Sequence, residues 1–214
     1  MSDFSVIKYA SKGADLHLRV TLGHFAAGSR HCNYFIDVAW PRARLSEARA
    51  IAEHICSHYY TSTVVDTILC LDGTEVIGAC LADALSKGDF INMNLHKTIY
   101  VVTPEITNGN QILFRDNIVP MIQGKNVMVL SATISSGKLT ESAIQSVRYY
   151  GGTVSGVSAF FSAVKECCGL PVKAVFTEED LKDYMNVPAH ECPLCKQGVK
   201  LDALVNHYGY SKLK

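Results

Sequence analysis

Apolar positions recur along this chain in two alternating patterns. In LSEARAIAEHIC (45–56) Ala48, Ile51, Ala52 and Ile55 fall on one helical face, and Pro41 and Leu45 mark the approach to the predicted helix. VVDTILCL (64–71) is too short for a buried helix and rich in β-branched residues, so it predicts a strand covered on both faces. Gly73 breaks that run, and Ile77, Cys80, Leu81, Ala84 and Leu85 form a second helical stripe that Lys87 and Gly88 end. TIYVV (98–102) and VMVL (127–130) are further short apolar strands. After the second of these, Ala143, Ile144 and Val147 predict a helix that Gly151 and Gly152 terminate. VSGVSAFF and VKAVF complete the series. Strands alternating with helices predict an α/β fold, with strands near 64–71, 98–102, 127–131 and 153–161 neighbours in one mainly parallel sheet flanked by helices.

Composition narrows the function classes. The 214 residues are 48% hydrophobic, enough for a sizeable core in one large domain with appendages. Twenty basic residues balance twenty acidic ones, so no overall field favours nucleic acid or an anionic membrane. No apolar stretch is long enough for a signal peptide or a membrane span, and a cytoplasmic protein is expected. The eight cysteines then read as reduced thiols or metal ligands. Cys192 and Cys195 in CPLC, with His190 nearby, have metal-like spacing, but no second Cys or His pair follows at a suitable interval. Cys167, Cys168 or His207 would complete a site only if the fold brought them close, so no metal residue is assigned and zinc is not expected. His24 and His31 read as hydrogen-bonded structural residues, and Tyr149 and Tyr150 as packing residues.

The candidate chemistry lies in NVMVLSATISSGKLTE (126–141). In parallel sheets ligands collect at the carboxyl ends of the strands. There the turn after VMVL would offer backbone N–H groups, the hydroxyls of Thr133, Ser135, Ser136 and Thr140, the small Gly137 and the ammonium of Lys138, beside a helix N-terminus. This is an anion site. The turn is no Walker loop, which would need glycine at Ala132 and Ser or Thr at Leu139.

Four apolar residues, two positions and then a Thr/Ser-rich turn with glycine resemble the phosphoribosyl pyrophosphate motif of the type I phosphoribosyltransferases. GHFAAGSRHCNYFIDVAW (23–40) is similar to the N-terminal hood of orotate phosphoribosyltransferases, ILCLDGTEVIGACLADALS (68–86) to their pyrophosphate-side strand, turn and helix, and HECPLCKQG (190–198) to the tail of some members. The resemblance implies a type I phosphoribosyltransferase fold with a hood over 1–44, a core over 45–186 and a tail over 187–214 that could join the hood. It implies a homodimer that displaces pyrophosphate from phosphoribosyl pyrophosphate with a nucleobase nitrogen, Mg²⁺ holding the pyrophosphate. By the same resemblance Ser135, Ser136 and Gly137 grip a 5′-phosphate, and Asp72, Gly73 and Thr74 form the pyrophosphate-side turn. The sequence departs from the family in two places. The family's acidic pair is replaced by Ser131 and Ala132, which weakens the case for Mg²⁺, and no basic residue stands between Lys97 and Arg115, where the family has a basic loop. No catalytic residue is assigned. The expected function is binding of ribose 5-phosphate, a nucleotide or phosphoribosyl pyrophosphate at the 133–140 loop. The alternative is an active transferase acting on orotate or another base, with Arg30, Lys97 or Arg115 as its cations.

Overall fold

The computed structural model describes residues 4–11, 16–87, 91–95, 98–107 and 111–213. The elements run β1 (Val6–Ala10), β2 (His17–Ala27), β3 (Arg30–Asp37), α1 (Ala39–Ala43), α2 (Leu45–Cys56), β4 (Thr67–Cys70), α3 (Glu75–Ser86) and β5 (Tyr100–Val102). They continue with β6 (Glu105–Ile106), β7 (Ile112–Leu113), β8 (Asn126–Ile134), α4 (Lys138–Tyr149), β9 (Thr153–Ser162), β10 (Glu166–Cys167) and β11 (Leu170–Thr177). The last are β12 (Asn186–Pro188), α5 (Pro193–Lys196), β13 (Ala203–Asn206) and β14 (Gly209–Lys212). Two compact units result, one of Pro41–Thr177 and one of Met1–Trp40 with Glu178–Lys214.

The continuous unit is built on a sheet of order β10-β11-β9-β8-β4-β5. From β11 to β5 every pairing is parallel, and β10 is an antiparallel edge. The alternation along β4 explains why both faces are covered. Leu69 and Leu71 join a core with Val127, Val129, Val157 and the α4 residues Ala143, Ile144 and Val147. Ile68 and Cys70 point the other way, where Gly78 of α3 comes so close that a Cβ on it would stand 2.4 Å from Cys70 Sγ. Tyr59, just after α2, is buried, with its hydroxyl 2.9 Å from Ser158 Oγ; a Cβ on Gly156 would lie 2.5 Å from its ring.

Several strand boundaries differ from the sequence expectation, among them the start of the 98–102 strand, which begins at Tyr100. The 64–71 run forms a strand only over Thr67–Cys70; just before it, Asp66 accepts the backbone N–H of Asn126 on its carboxylate and Val65 N–H donates to Asn94 Oδ1. β8 runs on to Ile134, since Thr133 and Ile134 stay paired with Phe161 and Ser162 of β9. The polar interval 101–114 contains the β6–β7 hairpin.

The discontinuous unit is a mostly antiparallel sheet, β12-β3-β2-β13-β14, with β1 also paired to β2. Phe25, Cys32, Phe35 and Ala203 form its core. The register of β2 on β3 shifts between Leu22 and Phe25, a bulge at Gly23 and His24. Residues from the 187–214 tail enter this sheet on both sides of the β2–β3 hairpin: β12 lies antiparallel to β3, and β13 lies parallel to β2. Among the described residues no helix is long and apolar enough to cross a membrane.

Candidate functional site

The 133–140 loop is held between two regular elements. β8 ends at Ile134, three residues turn, and α4 starts at Lys138. Gly137 immediately precedes the helix with φ +80, a left-handed conformation that costs other residues about 1 kcal/mol. A side chain there would also meet Cys167 Sγ at 3.2 Å. Gly137 makes no side-chain cap, and its carbonyl accepts from Glu141 N–H to close the first turn of α4. Exposed Ser135 and Lys138 stand at this helix N-terminus, an end whose first amides have no partner within the helix itself. Thr133 and Ser136 are half-buried, and Thr140 is buried. The carboxylate of Glu141 stands 3.8 Å from the Gly137 Cβ position, so an incoming anion shares the helix end with a negative charge. Burial, with Glu141 contributing next, raises the Cys167 thiol above its ordinary pKa, and the thiol stays neutral under the loop.

Ser131 and Ala132 lie inside the β8 ladder, 1% and 0% exposed. The Ser131 hydroxyl has no hydrogen-bond partner among the described residues. No carboxylate comes from these two positions. The turn after β4 leaves the same sheet edge one strand away, because Cys70 is paired with Leu130. It is tightly wound: Asp72 and Gly73 both have positive φ, and Thr74 Oγ1 lies 2.9 Å from Leu71 O and 3.1 Å from Leu130 O. Arg42 donates from Nη1 to the Asp72 carbonyl and covers Gly73, where a Cβ would stand 2.6 Å from that nitrogen. The sequence analysis did not single out this guanidinium at the 72–74 turn; a Pro-Arg dipeptide just before a helix is its only sequence trace.

The cations considered in the sequence are placed otherwise. Arg115 makes a two-point contact with Glu105 across the β6–β7 hairpin, at 2.6 and 2.9 Å. Arg30 is bound to Asn186 in the discontinuous unit, Nε to Oδ1 at 2.6 Å. Lys97 lies outside the described residues. Glu75 accepts from Thr103 Oγ1. A groove of about 460 Å³ runs along α4 from Ser142 to Tyr149, past Ile112, Leu113 and Gln145. Tyr149 is 85% exposed there, whereas Tyr150 packs edge-on against Phe114.

The discontinuous unit holds a second constellation. Cys192 and Cys195 are brought to His24 and His31, and the four donor atoms all lie within 4.8 Å of one another. The histidine pair that the spacing around CPLC failed to supply thus comes from the β2–β3 hairpin, and not from His190, Cys167, Cys168 or His207.

No family model matches the chain. Over 200 residues, 91% of this chain and 91% of the relative, it is 28% identical to an orotate phosphoribosyltransferase of Chlorobaculum parvum. Among solved structures it is similar to orotate phosphoribosyltransferase of Mycobacterium tuberculosis, with a TM-score of 0.53 and 19% identity over 77% of this chain and 92% of that one. The enzyme of Aeropyrum pernix gives a TM-score of 0.53 at 17% identity over 85% of this chain and 93% of that one. The chain has the type I phosphoribosyltransferase fold and, in sequence, resembles the orotate phosphoribosyltransferases of that family.

Proposed function

We propose that the protein binds a 5′-phosphate, carried by ribose or a nucleotide, in the loop of Thr133, Ser135, Ser136, Gly137, Lys138 and Thr140. One observation carries this reading: left-handed Gly137 opens the N-terminus of α4 toward the loop, while the strand leading to it presents buried, neutral Ser131 and Ala132. Backbone amides, hydroxyls and an ammonium recognise a phosphate directly. Without the acidic pair, Mg²⁺ has fewer carboxylates to hold it beside the ribose. Calorimetry with ribose 5-phosphate, a nucleoside monophosphate and phosphoribosyl pyrophosphate tests the reading. The simple phosphates are expected to bind within about tenfold of the pyrophosphate, or about 1.4 kcal/mol, and Mg²⁺ to raise the latter's affinity by less than that. A larger metal effect would overturn it.

A second reading, transfer of the phosphoribosyl group to orotate or another base, is supported by Arg42. Its guanidinium stands at the turn where the leaving pyrophosphate would need a cation, and the likeness to an orotate enzyme extends over nearly the whole chain. Turnover of labelled phosphoribosyl pyrophosphate against a panel of bases separates the two readings: production of a nucleotide, lost in Arg42→Ala, establishes transfer. A cytoplasmic homodimer is part of the same proposal, and light scattering on the purified chain tests the dimer.

A further inference from the structure

We propose that His24, His31, Cys192 and Cys195 bind one zinc ion in a closed structural site that fastens the 189–199 segment to the β2–β3 hairpin. Nothing in the phosphate chemistry requires this site, and it stands on separate residues.

The local folding brings two distant pairs together. In the register that places Phe25 opposite Cys32 and Ala26 opposite His31, His24 and His31 are diagonal neighbours on one face of the hairpin. The bulge at Gly23 and His24 sets that register. Gly23 suits the bulge because a Cβ on it would lie 2.6 Å from Phe25 Cζ and 2.9 Å from Asp202 Oδ2. The cysteines sit on a tight turn: Cys192 precedes α5, its carbonyl accepts from Lys196 N–H, and Gly198, with φ +74, donates to Cys195 O. Both flanks of this turn are fixed to the hairpin. Ala189 N–H donates to Ser29 O on one side, and on the other Asp202 N–H donates to His24 O while His24 N–H donates to Asp202 Oδ2.

Distances and donor chemistry point to a metal. His24 Nε2 is 3.1 Å from His31 Nδ1, 3.4 Å from Cys192 Sγ and 3.6 Å from Cys195 Sγ, and Cys195 Sγ is 3.2 Å from His31 Nδ1. Ligands bound at ordinary zinc–nitrogen and zinc–sulfur lengths in a tetrahedron stand about 3.3–3.8 Å apart. His24 Nδ1 lies 3.0 Å from Val199 O, so that nitrogen carries the proton and donates to the carbonyl. Nε2 is then a bare acceptor on which three other donor atoms converge. One lone pair cannot satisfy three hydrogen bonds, whereas a cation at the centre engages all four groups. The carbonyl behind His24 is the outer partner that orients metal-binding imidazoles. Thiolate with imidazole in a compact four-cornered set suits zinc, and four protein ligands leave no open position for catalysis. Binding converts two thiols to thiolates and releases two protons to solvent, with neutral imidazoles and no change of oxidation state.

The test is metal analysis of the full chain purified under thiol reductant, with a cobalt titration after chelation. One zinc per chain is expected. Cobalt should give the thiolate charge-transfer and tetrahedral visible bands, and chelation should lower the melting temperature, which added Zn²⁺ restores. Cys195→Ser, at an exposed position, should lose the zinc while retaining the far-ultraviolet dichroism of the parent. Cys168→Ser and His190→Ala, outside the cluster, should keep it. The proposal is overturned if reduced wild type neither contains nor takes up zinc, if Cys192 and Cys195 form a disulfide that persists in reductant, or if the double variant Cys192→Ser, Cys195→Ser retains the metal.

Discussion

Under the proposed function, single residues of the 133–140 loop carry separable parts of the binding energy. Gly137→Val should abolish ribose 5-phosphate binding, and Gly137→Ala should do so with a stability loss of about 1 kcal/mol, because φ +80 strains any side chain whatever room it has. Lys138→Ala should only weaken binding, by roughly 1.5–3 kcal/mol if the ammonium makes a charge-assisted contact. Glu141→Gln should strengthen it several-fold, an effect that shrinks in high salt. Calorimetry on the four variants checks these affinities, and equal affinity of wild type and Gly137→Val would remove the loop from the site. Cys70 gives a test against pH. Burial, opposed by the hydrogen bond to Thr74, pushes its thiol up to about 12 from an ordinary 9.0. The folded state therefore holds this proton more tightly than the unfolded chain. The stability it contributes is complete below about pH 9 and declines as pH rises toward 12, at up to about 1.4 kcal/mol per unit. Urea unfolding at pH 8 and pH 10 should show a smaller alkaline loss in Cys70→Ala. At this scale the turn between β8 and α4 was legible, since strand, turn and helix are contiguous in sequence. Arg42 was not, because what marks it is the Asp72 carbonyl thirty positions away.

Among elements, legibility followed how local the pairing is. α2 matches the 45–56 stripe because four apolar residues at helical spacing find a sheet face, and β9 matches its run because it is buried between β8 and β11. The ends of β4 and β8 were misjudged, since they depend on what the neighbouring strand offers: Asp66 bonding sideways at one, and Phe161 and Ser162 continuing the ladder at the other. The tail strands gave weaker signals still. β13 is only Ala203–Asn206, and beside its neighbour β14 its other partner is β2, far back in the chain. The α2-side face makes its own prediction. Gly156→Ala would press a Cβ to 2.5 Å from the Tyr59 ring, so the ring must leave its hydrogen bond with Ser158. A loss of about 1–3 kcal/mol in denaturant unfolding is expected, with the phosphate loop unchanged.

For the whole molecule, the decisive feature is that one unit is continuous and the other is made of two separated segments. The sequence boundaries at 44 and 186 describe a hood and a tail; the structure joins residues from both in a single sheet. Hydrogen bonds between His24 and Asp202 close a loop of 178 residues, which the hydropathy pattern has no means of announcing. The consequence concerns the order of events during synthesis. Pro41–Thr177 can complete its own sheet as soon as it has left the ribosome, whereas the segment before it must wait for β13 to pair with β2 and for Ala203 to join Phe25 in its core. Pulse-labelled amide exchange during refolding should protect β8 and β9 before β2 and β3. A nascent chain stalled just after β11 would present an unfinished sheet edge to chaperones, while the 133–140 loop of the continuous unit is already built.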